Sequence, residues 1–300
     1  MRYVATAPLA HALCNAGAVT GIAAYVTQPL MAGDLPLFLA LLAAAGLFAG
    51  LIGGLFGVGG GIVLVPALFH VMGALGVDDN VRAHAAVATS LSTIIATSWR
   101  SLATHTKAGA VDFEILKTWT PWIGVGAVIG ALTAGAVDGK VLLLVFGVGL
   151  LLIAANMAFG RESWRVAQAM PTGWLRDFIA SVLGALSAMM GVGGGAFGVT
   201  VMTLCGRPIH QAVATASGFG AAIAIPAALI NVWTGWGRNG LPPLSAGSVN
   251  VPGFVAVALL TSLTAPVGAR LAHRLDRALL KRAFAVFLAV TAANLLWEAR

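Results

Sequence analysis

Two copies of the pentapeptide Gly-Val-Gly-Gly-Gly are the residues whose type and spacing could do chemistry. They occupy residues 57–61 (glycine motif 1) and 191–195 (glycine motif 2). Each glycine disfavours a helix interior by about 1 kcal/mol relative to alanine, so each motif should interrupt a helix. The break leaves free backbone N–H groups at the start of the next helix, which attract an anion. The predicted anion-binding residues are Gly57, Gly59, Gly60 and Gly61 in motif 1, and Gly191, Gly193, Gly194 and Gly195 in motif 2.

The alternative interpretation of both motifs is helix packing, because small residues are common where membrane helices touch. A segment rich in hydroxyl groups follows each motif, His84 to Ser90 and His210 to Ser217. Hydroxyl groups can bind an oxyanion without a fixed charge. Alternatively, each hydroxyl bonds a carbonyl of its own helix. The hydroxyl residues expected to complete the anion site are Thr89, Ser90, Thr215 and Ser217.

His84 and His210 recur at the starts of these segments, where they either handle protons or are ordinary histidines at a helix end. The ten acidic residues all fall at predicted helix ends or in loops. A proton relay through a buried carboxylate is therefore unsupported, and an anionic substrate is favoured over a cation. Cys14 and Cys205 lack metal-ligand spacing. No GxxxxGK[ST], HExxH or GxSxG motif is present, so we expect no cofactor, no metal site and no enzymatic activity.

The composition identifies the medium in which these residues act. Hydrophobic residues make up 59% of the 300 residues and charged residues 9%, whereas soluble domains have about 25% charged residues. The mean hydropathy is +0.93. Soluble, disordered, collagen-like and disulfide-rich classes are excluded. The net charge of +7 indicates basic residues that flank membrane segments, not a nucleic-acid-binding surface. The chain is predicted to be a polytopic helical protein in contact with a lipid bilayer.

An internal duplication organises the chain. The spacing between matching residues is 134 at the glycine motifs, 126 at the His84 and His210 segments, and 138 from Gly109 and Gly247 onward. An ordered series of matches at few spacings indicates duplicated halves. Each half is predicted to contain helix a, a glycine motif, a short segment b, and helices c, d and e. Their bounds are 35–56, 62–75, 83–104, 115–137 and 140–159, and then 175–190, 196–205, 210–233, 250–272 and 279–297.

The predicted division is an N-terminal apolar segment and linker (1–34), repeat 1 (35–160), a cytoplasmic linker (161–174) and repeat 2 (175–300). Within the first part, residues 1–26 are interpreted as a retained first helix and not as a cleaved signal peptide, because Pro8, His11 and Asn15 interrupt the apolar run.

Segment b is too short for a bilayer, which needs about 20 apolar residues. Helix a, the glycine motif and segment b should therefore form a broken hairpin that starts and ends on one side. Three crossings by c, d and e then invert the second half. This topology puts twelve Lys and Arg residues on one side and four on the other, whereas a crossing hairpin splits them evenly. The twelve-residue side is predicted to be cytoplasmic and the C-terminus outside. The predicted fold class is an all-α polytopic membrane protein with two inverted repeats, each a broken or re-entrant glycine-motif hairpin plus three transmembrane helices.

The chain resembles the sulfite exporter TauE/SafE family of membrane permeases. The resemblance rests on Gly53-Gly-Leu-Phe-Gly-Val-Gly-Gly-Gly-Ile-Val-Leu-Val-Pro66 with 86–90, and on motif 2 with 212–217. It covers roughly residues 35–297. The second copy departs from the first, since no proline matches Pro66, and the two half-sites should be unequal. The resemblance implies transport of sulfite, organosulfonates such as sulfoacetate, or related small sulfur oxyanions.

These features together predict a secondary transporter, acting as an exporter, in a bacterial-type inner membrane. Inverted repeats bring equivalent broken segments together near the bilayer midplane. The anion would lie between the glycine motifs, while one repeat rocks against the other. Basic cytoplasmic loops would concentrate anions at the inner mouth. The alternatives are a passive anion channel, a permease for another small anion such as thiosulfate or a carboxylate, and a membrane enzyme using His84 or His210. Assembly as a homodimer is left open.

Overall fold

The computed structural model describes residues 34–56, 60–74, 76–159, 166–272 and 277–300. Within these ranges each predicted segment a to e coincides with one helix. Gly57, Gly59, residues 1–26 and residues 161–165 of the linker lie outside the described residues. The helices are α1 (Asp34–Phe56), α2 (Gly61–Ala74), α3 (Asp79–Lys107), α4 (Phe113–Ala136), α5 (Gly139–Phe159), α6 (Gly173–Met190), α7 (Gly195–Leu204), α8 (Ile209–Thr234), α9 (Val251–Ala272) and α10 (Arg277–Glu298).

The connection between α8 and α9 contains a small antiparallel hairpin of β1 (Ser245–Ala246) and β2 (Val249–Asn250). The hairpin is anchored to the end of α8 because the Ser248 N–H donates to the Asn231 carbonyl at 3.1 Å. Asn250 is fully buried, so this connection folds into the helical bundle and does not extend away from it.

Three helices of the described chain, α4, α5 and α8, are long and apolar enough to cross a membrane by length and composition. Large apolar side chains cover the outer face of α5, where Leu144, Val148 and Leu152 recur every four residues and are 45%, 50% and 63% exposed. An exposed stripe of this kind is suited to lipid and not to water. The protein is therefore an all-α membrane protein.

Helix a of each half packs against helix d of the other half through small residues. In α1, Gly46 faces Val257 and Gly50 faces Thr261 of α9. In α4, Gly126 faces Ser181 and Gly130 faces Ala185 of α6. Because the contacts advance in the same direction along both helices, each of these two pairs runs parallel. The absence of a Cβ at these glycines lets the two backbones of each pair approach closely.

Equivalent helices of the two halves run antiparallel to each other. Gly218 of α8 meets Leu102 of α3, and Gly220 meets Ser98, so the contacts advance in opposite directions. Helices α5 and α10 show the same relation. Gly147 faces Leu296, and the Lys140 Nζ at the start of α5 donates to the Arg300 carbonyl after the end of α10 at 3.4 Å.

The α4–α6 contact predicts opposite outcomes for two glycines of α4. A Cβ at Gly126 would overlap the Ser181 backbone, whereas a Cβ at Gly124 has only the Ala222 carbonyl oxygen near it, at 3.9 Å. Gly126→Ala should lower the free energy of unfolding by about 1–3 kcal/mol because of overpacking. Gly124→Ala should leave it unchanged or raise it, because alanine favours the helix. Thermal unfolding midpoints in detergent test this, and equal midpoints would contradict the tight parallel packing.

Candidate functional site

The two glycine motifs touch each other in the interior of the bundle. A Cβ on Gly61, the first residue of α2, would lie 3.0 Å from the Gly191 carbonyl oxygen and 3.1 Å from the Val192 Cα. Gly60 and Gly191 have φ angles of +74° and +67°, which favour glycine because L-residues lose energy there. The structure thus brings Gly61 of motif 1 against motif 2, whereas Gly60 faces the Ala49 carbonyl of α1.

Each motif starts a helix whose first N–H groups lack an intrahelical partner. At α7, the first backbone bond runs from the Gly198 N–H to the Gly194 carbonyl at 2.8 Å, and the N–H groups of residues 193–196 donate to no acceptor among the described residues. At α2, the Val63 and Leu64 N–H groups both donate to the Gly60 carbonyl, at 3.1 and 3.0 Å. The start of α7 therefore offers a set of free donors and the positive end of a helix dipole.

Thr89 and Thr215 occupy equivalent positions and make equivalent bonds. The Thr89 Oγ1 accepts from the Asn250 N–H at 3.0 Å, and the Thr215 Oγ1 accepts from the Asp112 N–H at 2.9 Å. We name these two contacts the hydroxyl clasps. Both threonines are fully buried. Each clasp joins helix c of one half to the residue that precedes helix d of the other half.

The two residues held by the clasps are helix caps that the sequence reasoning missed. The Asp112 Oδ1 accepts from the Ile115 N–H at 3.1 Å, and the Asn250 Oδ1 accepts from the Gly253 N–H at 2.8 Å. Both bonds satisfy a free donor in the first turn of a helix. The repeat spacing of 138 relates the two positions, and that match was the signal available in the sequence.

Ser90 and Ser217 do not make equivalent bonds. The Ser90 Oγ donates to the Gly191 carbonyl at 2.8 Å and thereby holds the turn of motif 2 against α3. The Ser217 Oγ donates to the Ala214 carbonyl of its own helix at 2.7 Å, which is the bond of the alternative interpretation. A ligand role for these two hydroxyl groups stays a prediction, as it does for the two threonines.

The two recurring histidines have different surroundings. His84 is only 4% exposed and joins α3 to the end of α4, since its Nε2 lies 3.1 Å from the carbonyl oxygens of both Ala134 and Val137. Its Nδ1 lies 3.1 Å from the Asn80 carbonyl oxygen. His210 is exposed at the start of α8. The structure therefore separates the two, and it makes His84 a buried contact between α3 and the end of α4.

Ion pairs join the two halves at both ends of α3. Near its start, the Arg82 Nη2 lies 2.9 Å from the Glu298 Oε2 of α10, and the guanidinium stacks on the Phe69 ring at 4.0 Å. Beyond its end, the Arg207 Nη1 lies 3.5 Å from the Asp112 Oδ2. The interior between these pairs contains the glycine motifs, whose described neighbours are uncharged: Ala49, Val65, Val87, Ile94 and Phe219.

The apolar helices and their exposed apolar side chains define a multi-pass α-helical membrane protein. Comparison with known proteins agrees with this class. The chain belongs to the family described as sulfite exporter TauE/SafE, which matches residues 41–295.

Curated relatives carry the same general description. A probable membrane transporter protein from Haemophilus influenzae is 29% identical over 259 residues, which cover 86% of this chain and 98% of that protein. A probable membrane transporter protein from Bacillus subtilis is 30% identical over 183 residues, covering 55% of this chain and 67% of that protein. No solved structure matches the chain. The family match and these relatives together identify the protein as a membrane transporter.

The hydroxyl clasps predict a stability difference between two buried threonines of α3. Thr89→Val keeps the side-chain shape but leaves the Asn250 N–H without an acceptor, which should cost about 1–3 kcal/mol. The control is Thr93→Val, because the Thr93 Oγ1 bonds only its own helix, at the Thr89 carbonyl, 3.1 Å away. The Thr89→Val variant should show the lower thermal unfolding midpoint in detergent. An equal effect of both substitutions would argue against the clasp.

Proposed function

We propose that this transporter exports small sulfur oxyanions, sulfite or organosulfonates, across a bacterial-type inner membrane. The observation that carries the proposal is the free N–H groups at the start of α7, beside the start of α2 and among uncharged neighbours. Backbone donors at a helix N-terminus bind oxyanions without a buried Lys or Arg. The family description names sulfite, which supports this class of substrate.

The inverted repeat is the second part of the proposal. Antiparallel contacts between α3 and α8 and between α5 and α10 support it. Helix α1 runs parallel to α9, which follows the β-hairpin connection, and helix α6 runs parallel to α4. In this proposal each glycine motif reverses the chain, so that α1–α2 and α6–α7 form the two glycine-motif hairpins. The proposed orientation has the basic loops in the cytoplasm and the C-terminus outside.

The units that move are proposed to be mixed groups of helices and not the two sequence repeats. One group consists of α1, α2, α3 and α9 (the α1–α9 group) and the other of α4, α6, α7 and α8 (the α4–α6 group). Packing contacts connect the helices of each group, and an equally extensive contact joins the groups at α3 and α8. Each group contains helices of both halves. The hydroxyl clasps lie within the groups, whereas the contact between α3 and α8 lies between them. Rocking of one group against the other would give alternating access.

A carrier is favoured over the passive channel by closure at the centre. Gly61 and residues 191–194, where the two motifs meet, are buried, and Ser90, which bonds the Gly191 carbonyl, is fully buried. The ion pairs at the two ends of α3 would close the path of the anion toward each side of the membrane. A carrier passes through such closed states, whereas a channel needs a continuous open path.

The test of substrate and mechanism is uptake of radiolabelled sulfite into proteoliposomes that contain the full chain. Sulfate, thiosulfate, sulfoacetate and chloride serve as competitors, with and without an imposed pH gradient. The proposal expects saturable sulfite uptake that sulfonates compete. Non-saturable uptake with single-channel currents would instead indicate the channel, and no uptake of any of these anions would overturn the substrate class.

Gly193→Ala tests the amide site with little disturbance of the fold. A Cβ at Gly193 would lie 3.3 Å from the Ile94 Cγ2, which a small side-chain adjustment can accommodate, whereas a Cβ at Gly194 would overlap Phe219. Because the added methyl group narrows the space before the α7 amides, sulfite uptake should fall by about tenfold or more, the loss expected for weakening a bond to a charged ligand. The control is Gly124→Ala, whose added Cβ would have the Ala222 carbonyl oxygen near it, at 3.9 Å, and no residue of either motif. Wild-type uptake by Gly193→Ala would exclude anion binding at these amides.

A further inference from the structure

Ser98 is a buried hydroxyl residue that the site as described so far leaves without a role. Helix α3 has five buried hydroxyl residues, and Ser98 is 8% exposed. Four of them, Thr89, Ser90, Ser92 and Thr93, make hydrogen bonds within the protein. The Ser98 Oγ has no partner among the described residues. Unlike the fully enclosed Ser187 Oγ, the Ser98 Oγ retains accessible surface, so it is free to bond a small ligand that enters the interior.

The position of Ser98 places this hydroxyl beside glycine motif 2. Ile94, one turn earlier in α3, lies against Gly193. On α8, a Cβ at Gly220 would overlap the Ser98 Oγ, and the Gly220 N lies 3.2 Å from the Cβ position of Gly194. Ser98, Gly220 and Gly194 therefore follow one another in close contact. This chain of contacts leads from the free hydroxyl to the free amides at the start of α7.

The two halves differ at these positions. The repeat spacing of 126 pairs Ile94 with Gly220 and Ser98 with Ala224. Ile94 covers the start of α2, since its Cδ1 would lie 2.9 Å from a Cβ on Gly61. At the start of α7 the equivalent position is Gly220, which adds no side chain, and only this half-site has a neighbouring hydroxyl in Ser98.

We propose that Ser98 is a ligand of the transported oxyanion and that the anion binds on the α7 side of the paired glycine motifs. This inference rests on the proposed anion transport. The N–H groups of residues 193–196 hold one face of the anion, and the Ser98 hydroxyl donates to an oxygen on the opposite face. A sulfite or sulfonate group has three oxygens, enough to accept from both. Bonds of neutral donors to a charged acceptor are stronger than those between neutral groups.

Ser98→Ala tests the proposal in proteoliposomes with radiolabelled sulfite. Loss of one hydrogen bond to a charged ligand corresponds to about a tenfold or greater rise in the apparent KM. Maximal uptake should change much less, because α7 and its amides stay in place. The control is Ser92→Ala in the same helix, whose Oγ bonds the Ala88 carbonyl at 3.0 Å, and its KM should stay within about twofold of the wild type.

A second measurement separates binding from a structural role. Sulfite should raise the thermal unfolding midpoint of the wild-type protein in detergent, and this rise should be lost in Ser98→Ala. Without sulfite, the variant and the wild type should unfold at the same temperature, since the Ser98 Oγ has no protein partner to lose. A large drop in the midpoint without sulfite would show a structural hydroxyl and overturn the inference.

The outcomes also distinguish this inference from the proposed function. Saturable sulfite uptake by the wild type, its loss in Gly193→Ala and an unchanged KM in Ser98→Ala would reject Ser98 as a ligand while the transport proposal stands. If sulfite, sulfate, thiosulfate and sulfoacetate are neither transported by the wild type nor raise its unfolding midpoint, both proposals fail.

Discussion

The contact between the start of α2 and the turn at Gly191 is the constraint on which the rest of the structure depends. A chain that stops being helical inside an apolar bundle must satisfy its backbone groups within the protein or line a cavity with them. The turn does so, because the Gly191 N–H donates to the Ala188 carbonyl at 3.2 Å and its own carbonyl accepts from the Ser90 Oγ at 2.8 Å. Only glycine fits there, since a Cβ would lie 2.9 Å from the Val65 Cγ2 and 3.0 Å from the Val87 Cα.

This central contact explains why the halves interleave instead of forming two separate bundles. The turn at Gly191 is buried in the middle of the bundle, and α2 and α3 of the other half cover it. The clasps then fix helix d of each half to helix c of the other. Glycines at the α1–α9 and α4–α6 contacts hold the remaining pairs close enough for backbone packing. The two proposed groups of helices therefore do not coincide with the two sequence repeats, because each group takes helix d from the other repeat.

The sequence predicted the helices and their breaks well, because apolar length and glycine content act locally. The contact between the two glycine motifs was predictable in outline, because the duplicated halves should place their equivalent motifs near a common centre. Ser98 escaped the same reasoning, because comparing the halves selects what they share and its equivalent is Ala224. The caps were hidden for a related reason, as Asp112 and Asn250 differ in charge. Clasp bonds of Thr89 and Thr215 could not be predicted, because hydroxyl spacing alone does not distinguish a ligand from a protein contact.

If Ser98 binds the anion as proposed, its location would let the anion stabilise the closed state of the transporter. Ser98 belongs to the α1–α9 group through α3, whereas the amides of residues 193–196 belong to the α4–α6 group through α7. Phe219 packs against Gly194, and its ring stacks on Trp119 of α4 at 6.4 Å, which keeps α7 with its own group. An anion that binds both Ser98 and the amides bridges the two groups. A ligand shifts a conformational equilibrium only by its difference in affinity between the states. If Ser98 is a ligand as proposed, moving α3 away from α8 would remove its bond, and the anion would then bind the closed state more tightly than either open state.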